Sequence, residues 1–165
     1  MHTRVLRPKH GPTLLVRPLR HGDVRTVLAV FEQLGDESRR ARFNGAKPCL
    51  SRTDLRALAT VDDRRHALVA YLEGSPIPVA IARLVRESRD SAEIAFAVAD
   101  AYQHRGIGSA LTAELLGDAR AAGIRQVTAL TSSDNGAALA LLRRTAKVLD
   151  IRFEGTDLSV RAAIA

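Results

Sequence analysis

The chain has 165 residues, 46% of them hydrophobic, which is enough for one buried core but short for two domains. Its lone cysteine, Cys49, excludes an internal disulfide, and no group of cysteines and histidines has metal-ligand spacing, so no metal site is expected. The net charge of +7 allows nucleic acid, a membrane surface or a small polyanion as partner, but aromatic residues make up only 4%, so nucleic acid is poorly supported.

Residues 1–12 contain basic residues, two prolines and a glycine, but no apolar run. This composition predicts a flexible basic tail rather than a signal peptide or a membrane span. We therefore expect residues 13–165 to form a single domain of a cytoplasmic protein.

The first predicted elements are a short strand and a helix. The strand covers the apolar residues 14–16 and is ended by Pro18. The helix runs from Asp23, whose carboxylate can cap its first turn, to Gly35, a residue type common just after a helix. Its apolar residues recur on one face: Val24, Val27, Leu28, Phe31 and Leu34.

A polar segment, residues 38–43, follows and leads through a turn at Asn44-Gly45 to Pro48. Ser51 and Asp54 have the spacing of a capping box, which predicts another short helix. Residues 67–72 and 79–85 are then predicted as two strands of an antiparallel meander, and residues 88–90 turn the chain into the next strand.

The most informative stretch joins that strand to a helix. Ile94, Phe96 and Val98 alternate with smaller residues, as in a strand, whereas Ile107 and Leu111 begin a helical spacing. The glycine-rich turn between them suits an anion, because the first amides of a helix lack intrahelical acceptors and the helix dipole adds positive charge. A P-loop and a dinucleotide fingerprint are both excluded, since neither the Gly-Lys-Ser/Thr ending nor the third glycine is present.

The remaining chain alternates between strands and helices. Gly123 is expected to end the central helix, residues 127–131 to form a buried strand, and Asn135 to precede a helix over residues 136–144. Residues 147–153 and 158–164 are predicted as a closing hairpin. This order predicts an α/β fold with a mixed sheet flanked by helices.

The turn reads Gln103-x-x-Gly106-x-Gly108, which resembles the pyrophosphate loop of the GNAT superfamily of N-acetyltransferases. The resemblance implies a mostly antiparallel, twisted sheet of six to seven strands with about four helices, and acetyl-CoA as co-substrate. The alternative is a glycine turn that only packs a helix on a sheet. The resemblance implies these cofactor-binding residues: Phe96, Val98, Gln103, His104, Arg105, Gly106, Ile107, Gly108, Ser109 and Asn135.

Two further segments are similar to a subgroup related to bacterial protein-lysine acetyltransferases. The first is Ser38-x-x-x-Arg42-Phe43, for which a core aromatic beside a surface charge is an equal alternative. The second is the strand segment from Ala92 to Val98, in which members of this subgroup carry a glutamate at the position of Glu93. Glu93 is therefore the candidate base that takes the proton of the acceptor amine. A solvent-facing glutamate is the structural alternative.

One departure concerns the thiolate leaving group, which many family members are thought to protonate with a tyrosine on the helix after the asparagine. Residues 137–142 contain no tyrosine. The resulting hypothesis is transfer of an acetyl group to a primary amine, from a protein lysine or a small molecule, by direct attack in a ternary complex. A non-catalytic acyl-CoA-binding sensor or adaptor is the alternative, and a homodimer is left open.

Overall fold

A computed structural model of the chain describes residues 2–43, 49–133 and 135–164. Within these residues, eight strands form one sheet in the order β1-β2-β3-β4-β5-β6-β8-β7. The strands are β1 Arg4–Leu6, β2 Leu14–Pro18, β3 Arg65–Leu72, β4 Pro78–Arg86, β5 Ser91–Val98, β6 Gln126–Ser132, β7 Lys147–Glu154 and β8 Asp157–Ala163. The helices are α1 Val24–Phe31, α2 Asp36–Phe43, α3 Arg52–Leu58, α4 Ile107–Ala121 and α5 Gly136–Thr145, with a 3-10 turn at Asp100–Tyr102.

The middle of the sheet is covered on both faces. As a consequence, β3 and β4 bury successive residues rather than every second one. On one face, β3, β4 and β5 pack against α4 through a large apolar cluster that includes Leu68, Ile94 and Leu111. On the other face, a smaller cluster joins Val69 and Ile81 to α1 and to the end of α3. We call these the α4 face and the α1 face of the sheet. The mixed sheet flanked by helices confirms the predicted fold class, although the described residues form eight strands rather than six to seven and five helices rather than about four.

Helix starts agree well with the caps expected from the sequence. The Asp23 carboxylate accepts a hydrogen bond from the Thr26 amide at 3.1 Å. Ser51 and Asp54 form both bonds of a capping box. Such caps act over three or four residues, so they can be identified without knowledge of the fold.

The first correction concerns the amino-terminal tail. Residues 4–6 were expected to be flexible, but they form β1, an additional strand that pairs with β2. Arg4 anchors this strand through ion pairs with Glu114 at 3.0 Å and Asp118 at 2.8 Å, both on α4. Three residues are too few to show the alternation of a strand. The contacts that stabilise β1 are backbone pairing and ion pairs with residues more than a hundred positions away, so the strand cannot be recognised from its own sequence.

The second correction is α2, which forms a helix over the polar segment. It buries no residue completely, so it has no apolar stripe from which a helix can be predicted. The turn expected at Asn44-Gly45 lies outside the described residues. None of the described helices is long and apolar enough to cross a membrane.

The sheet opens between β5 and β6, its parallel pair of strands. Pairing covers Ser91 to Ile94 on β5 against Gln126 to Ala129 on β6 and stops there, although both strands continue. On its other edge β5 stays paired with β4 as far as Val98. The second half of β5 therefore has one unpaired edge.

Candidate active site

The gap between the two strands forms a cleft of about 890 Å³. Its wall includes β5 from Ile94 to Val98, the turn before α4, the start of α5 and one side of α2. The Ala99 amide donates to the Val79 carbonyl on β4 at 2.8 Å. Because antiparallel pairs alternate, the N–H and C=O groups of Val98 and Phe96 point away from β4, into the cleft. This is the orientation that the predicted backbone contacts of these two residues require.

The turn that precedes α4 has a conformation suited to an anion. His104 has φ of 60° and Gly106 has φ of 78°. Gly106 is the N-cap, and no side chain accepts from the first amides of the helix. These amides are consequently available to a phosphate, with the helix dipole adding to the attraction.

Gly108 lines the cleft and lies where α4 packs against its neighbours. A Cβ at this position would lie 3.0 Å from Leu141 Cδ1 and 3.3 Å from Val98 Cγ2. The missing side chain thus allows α4 to pack closely against β5 and α5. Packing thus accounts for a glycine at this position, and the predicted contact of Gly108 with the cofactor stays a prediction.

The Gln103 side chain connects the turn to its surroundings. Its Nε2 donates to the Val98 carbonyl at 3.0 Å and to Ser38 Oγ at 3.1 Å. The turn is therefore tied both to the open end of β5 and to α2. The Val98 carbonyl already has a donor, which leaves the Val98 amide as the free group at this position.

Asn135 caps α5 at the opposite side of the cleft. Its Oδ1 accepts from the Ala138 amide at 3.2 Å, and its Nδ2 donates to Thr131 Oγ1 at 2.8 Å. The side chain lines the cleft, but both of its polar atoms have protein partners. Its predicted contact with the cofactor stays a prediction.

Arg144 is a cationic side chain at this site that the sequence did not reveal. It lies on α5, and its guanidinium contacts Ser109 Oγ at 3.3 and 3.4 Å, next to the uncapped start of α4. The two residues are 35 positions apart, and only the packing of α5 beside α4 brings them together. Arg144 could add positive charge to a phosphate site formed by the amides.

Glu93 lies one residue before Ile94, the last residue of β5 that pairs with β6. Its side chain is on the α1 face, together with Ala95 and Ala97, and is partly buried. In the part of the chain that the structure describes, its carboxylate has no hydrogen bond or salt bridge. Glu93 is near the cleft but is not one of the residues that line it.

Two arginines lie close to one another on the α1 face, and one of them, Arg42, interacts with the Glu93 charge. Arg83, on β4, is buried and donates to the carbonyls of Leu58 and Ala57 at the end of α3. Burial lowers the pKa of the Arg83 guanidinium to about 10, and the neighbouring charge of Arg42 contributes. Burial also lowers the pKa of Arg42, while the Glu93 carboxylate opposes that shift.

The structure thus brings most of the predicted cofactor residues to one cleft. Those that line it are Phe96, Val98, Gln103, His104, Gly106, Gly108, Ser109 and Asn135. Arg105 instead stacks over the Tyr102 ring at 5.6 Å, and the side chain of Ile107 is buried in the core, so only its amide faces the turn.

Comparison with known proteins identifies the class to which this fold and cleft belong. Residues 31–146 match the model of the acetyltransferase (GNAT) family. The chain belongs to this family. The predicted acetyltransferase class is therefore confirmed.

Named relatives confirm the subgroup as well. The chain is 36% identical over 142 residues to acetyltransferase Pat of Mycolicibacterium smegmatis, covering 84% of this chain but only 42% of that relative. The crystal structure of the GNAT domain of S. lividans PAT superposes with a TM-score of 0.85 at 28% identity, over 98% of this chain and 96% of that one. The cAMP-binding acyltransferase from Mycobacterium smegmatis gives a TM-score of 0.68 at 26% identity, over 99% of this chain and 48% of that one.

Proposed function

We propose that this chain transfers the acetyl group of acetyl-CoA to a primary amine, either a protein lysine or a small amine, by direct attack in a ternary complex. The observation that carries the proposal is the cleft itself, where the unpaired edge of β5 meets the uncapped start of α4. Membership of the GNAT family supports it. The exposed free thiol of Cys49 suits the reducing cytoplasm, where we expect the protein to act.

The residues around the cleft fit acetyl-CoA in two ways. Backbone groups of Phe96 and Val98 point into the cleft and would bind the amide-containing pantetheine arm as an added strand. The amides of Ile107, Gly108 and Ser109, with Arg144 nearby, would hold the pyrophosphate. When bound, acetyl-CoA supplies a thioester, so that transfer forms an amide C–N bond and breaks the C–S bond.

Glu93 would accept the proton of the attacking amine, directly or through a water molecule. A lysine ammonium has a pKa near ~10.4 and must lose a proton before it can attack. Glu93 has no ion pair among the described residues, and the small side chains of Ala95 and Ala97 on the same face leave room for a substrate. The proton that the thiolate takes up would come from solvent or from a group other than an α5 tyrosine.

Two observations favour the second candidate, a non-catalytic acyl-CoA-binding sensor. The α5 residues that line the cleft include Ala137 and Leu141 rather than a tyrosine, and Glu93 does not line the cleft. In that case acetyl-CoA would bind normally, but no amine would be acetylated.

The test combines binding and turnover in Glu93→Gln, which keeps the shape of the side chain and removes its charge. We expect release of free thiol from acetyl-CoA with an amine to fall by roughly 10²- to 10⁴-fold, while the dissociation constant of acetyl-CoA stays unchanged. Glu154→Gln, at an exposed glutamate next to the β7–β8 turn, is the matched control. Full turnover in Glu93→Gln would exclude Glu93 as the base. Binding without turnover in the parent protein would establish the sensor.

A further inference from the structure

Arg42 lies at the carboxyl end of α2, on the α1 face of the sheet. The helix is held over β6 by a hydrogen bond from Thr131 Oγ1 to the Ala41 carbonyl at 3.2 Å. The Arg42 side chain is partly buried and lines both the cleft and a small apolar pocket beside it. The uncapped start of α4 belongs to the opposite face, so Arg42 is on the side that the acceptor amine, rather than the cofactor phosphates, would occupy.

Within the described residues, the Arg42 guanidinium has no hydrogen-bond acceptor. The guanidinium lies over the neighbouring Phe43 ring, 4.9 Å from the ring centroid. Arg83 next to it is already engaged by the α3 carbonyls, and Arg144 contacts Ser109. Among the described residues, Arg42 is therefore a cation at the cleft whose donors have no protein acceptor and can bind a ligand.

The charges around Arg42 indicate which ligand would fit. Arg42 and Arg83 both line the small apolar pocket beside the cleft, and the charge of the Glu93 carboxylate acts on Arg42. The other carboxylates of α2, Asp36 and Glu37, line the cleft at the opposite end of that helix. A guanidinium that is partly removed from water without an acceptor is unfavourable, and a carboxylate relieves this by accepting two parallel hydrogen bonds. Glu93, of opposite sign, is suited to an ammonium group. An acceptor that carries both an amine and a carboxylate would match the pair.

We propose that Arg42 determines acceptor specificity by binding a carboxylate of the acceptor close to its reacting amine. This inference rests on the proposed acetyl transfer. The carboxylate would belong either to a free amino acid or to an acidic residue beside a target lysine in a protein.

The test compares matched acceptors with one primary amine each. Nα-acetyllysine and N-acetylcadaverine differ only in the carboxylate, and blocked peptides with lysine flanked by glutamate or by glutamine test the protein source. We expect kcat/KM to be roughly 10- to 100-fold higher for the acidic member of one of the two pairs, as for a charge-assisted hydrogen bond. The pair that shows the preference identifies the source of the carboxylate.

Arg42→Gln should bring that ratio close to one, while the dissociation constant of acetyl-CoA changes by less than about threefold. Arg56→Gln, at an exposed arginine of α3 that does not line the cleft, should keep the full ratio. If Arg42→Gln does not fold, Arg42→Lys replaces it. The lysine keeps the charge but not the paired donors, so the ratio should fall several-fold.

Equal turnover of both members of each pair by the parent protein would overturn the inference and leave the proposed function intact. A preference that persists in Arg42→Gln, or an unchanged ratio in Arg42→Lys, would also overturn it. If acetyl-CoA binds but no amine is acetylated, both the inference and the proposed function fail.

Discussion

The helices α4 and α5 both begin at the cleft, and they begin differently. At α5, the Asn135 side chain accepts from the Ala138 amide, so the helix start is closed by the protein itself. At α4, Gly106 provides no side chain, and the first amides have no side-chain acceptor. The helices α1 and α3 are capped by Asp23 and Ser51, in the same manner as α5.

This difference separates a structural helix start from one that is free to bind a ligand. A cap stabilises a helix by about 1 kcal/mol, so an uncapped helix of fifteen residues forgoes stability at that end. The amides thus left free are the donors that an anionic ligand needs. The following predictions test this contrast, in order of decreasing effect.

The largest effect is expected from closing the α4 start with Ser109→Asp. A carboxylate in the first helical turn would accept from the free amides and repel the pyrophosphate, so acetyl-CoA affinity should fall by roughly 100-fold or more. Thermal stability without ligand should not fall, because a negative charge is favourable at a helix start. Calorimetric titration and thermal unfolding measure the two effects. Ser109→Asn is the uncharged control, and unchanged affinity in Ser109→Asp would place the phosphates elsewhere.

A smaller effect is expected from the amino-terminal segment that supports the same turn. An added Cβ at Gly11 would overlap the carbonyl oxygen of Arg105, a backbone atom that must then move. Gly11→Ala should therefore weaken acetyl-CoA binding by about tenfold, as expected for overpacking of this kind. Gly117→Ala, on α4 with open space around it, is the control and should bind normally. Reduced stability of Gly11→Ala with normal affinity would show that the segment supports the fold but not the turn.

At the capped helix, Asn135→Ala should act mainly on stability. The free energy of unfolding is expected to fall by about 1 kcal/mol, since the Ala138 amide loses its acceptor. Acetyl-CoA affinity should change by no more than about threefold. Denaturant unfolding and calorimetric titration are the measurements. Asn135→Ser restores a capping oxygen, so a stable Asn135→Ser variant with tenfold weaker binding would instead make Asn135 a direct ligand of the cofactor.

The smallest predicted effect is a pH dependence at the other caps. Burial favours a higher pKa for Asp23, but hydrogen bonds from Thr26 and the charge of Arg17 outweigh it and hold the pKa below its usual value. The stability that Asp23 contributes is then present above about pH 4 and is lost as the pH falls through the lower folded value. The difference in unfolding free energy between the parent and Asp23→Ala should shrink in acid. The corresponding difference in unfolding free energy between the parent and Asn135→Ala should not shrink, because an amide does not titrate.

Much of the fold could be predicted because its signals are local. The Asp23 cap, the Ser51 and Asp54 capping box and the turn at Gly106 each depend on a few neighbouring residues. The strand β1 and the helix α2 were not predicted, because they lack such local signals. One is stabilised by pairing with β2 and by ion pairs to α4, and the other lacks an apolar stripe.

The sequence by itself determined the order of elements, the family resemblance and the glycine-rich turn between β5 and α4, since spacing and capping are properties of neighbouring residues. Only the tertiary structure decided where β5 and β6 part, because pairing of two strands depends on the packing of the helices between and around them. It also decided that Arg42 on α2 lies near enough to Glu93 on β5 and to Arg83 on β4 for their charges to act on it. Arg42 is distant from both residues in the sequence, so no local pattern of residue types could predict these interactions.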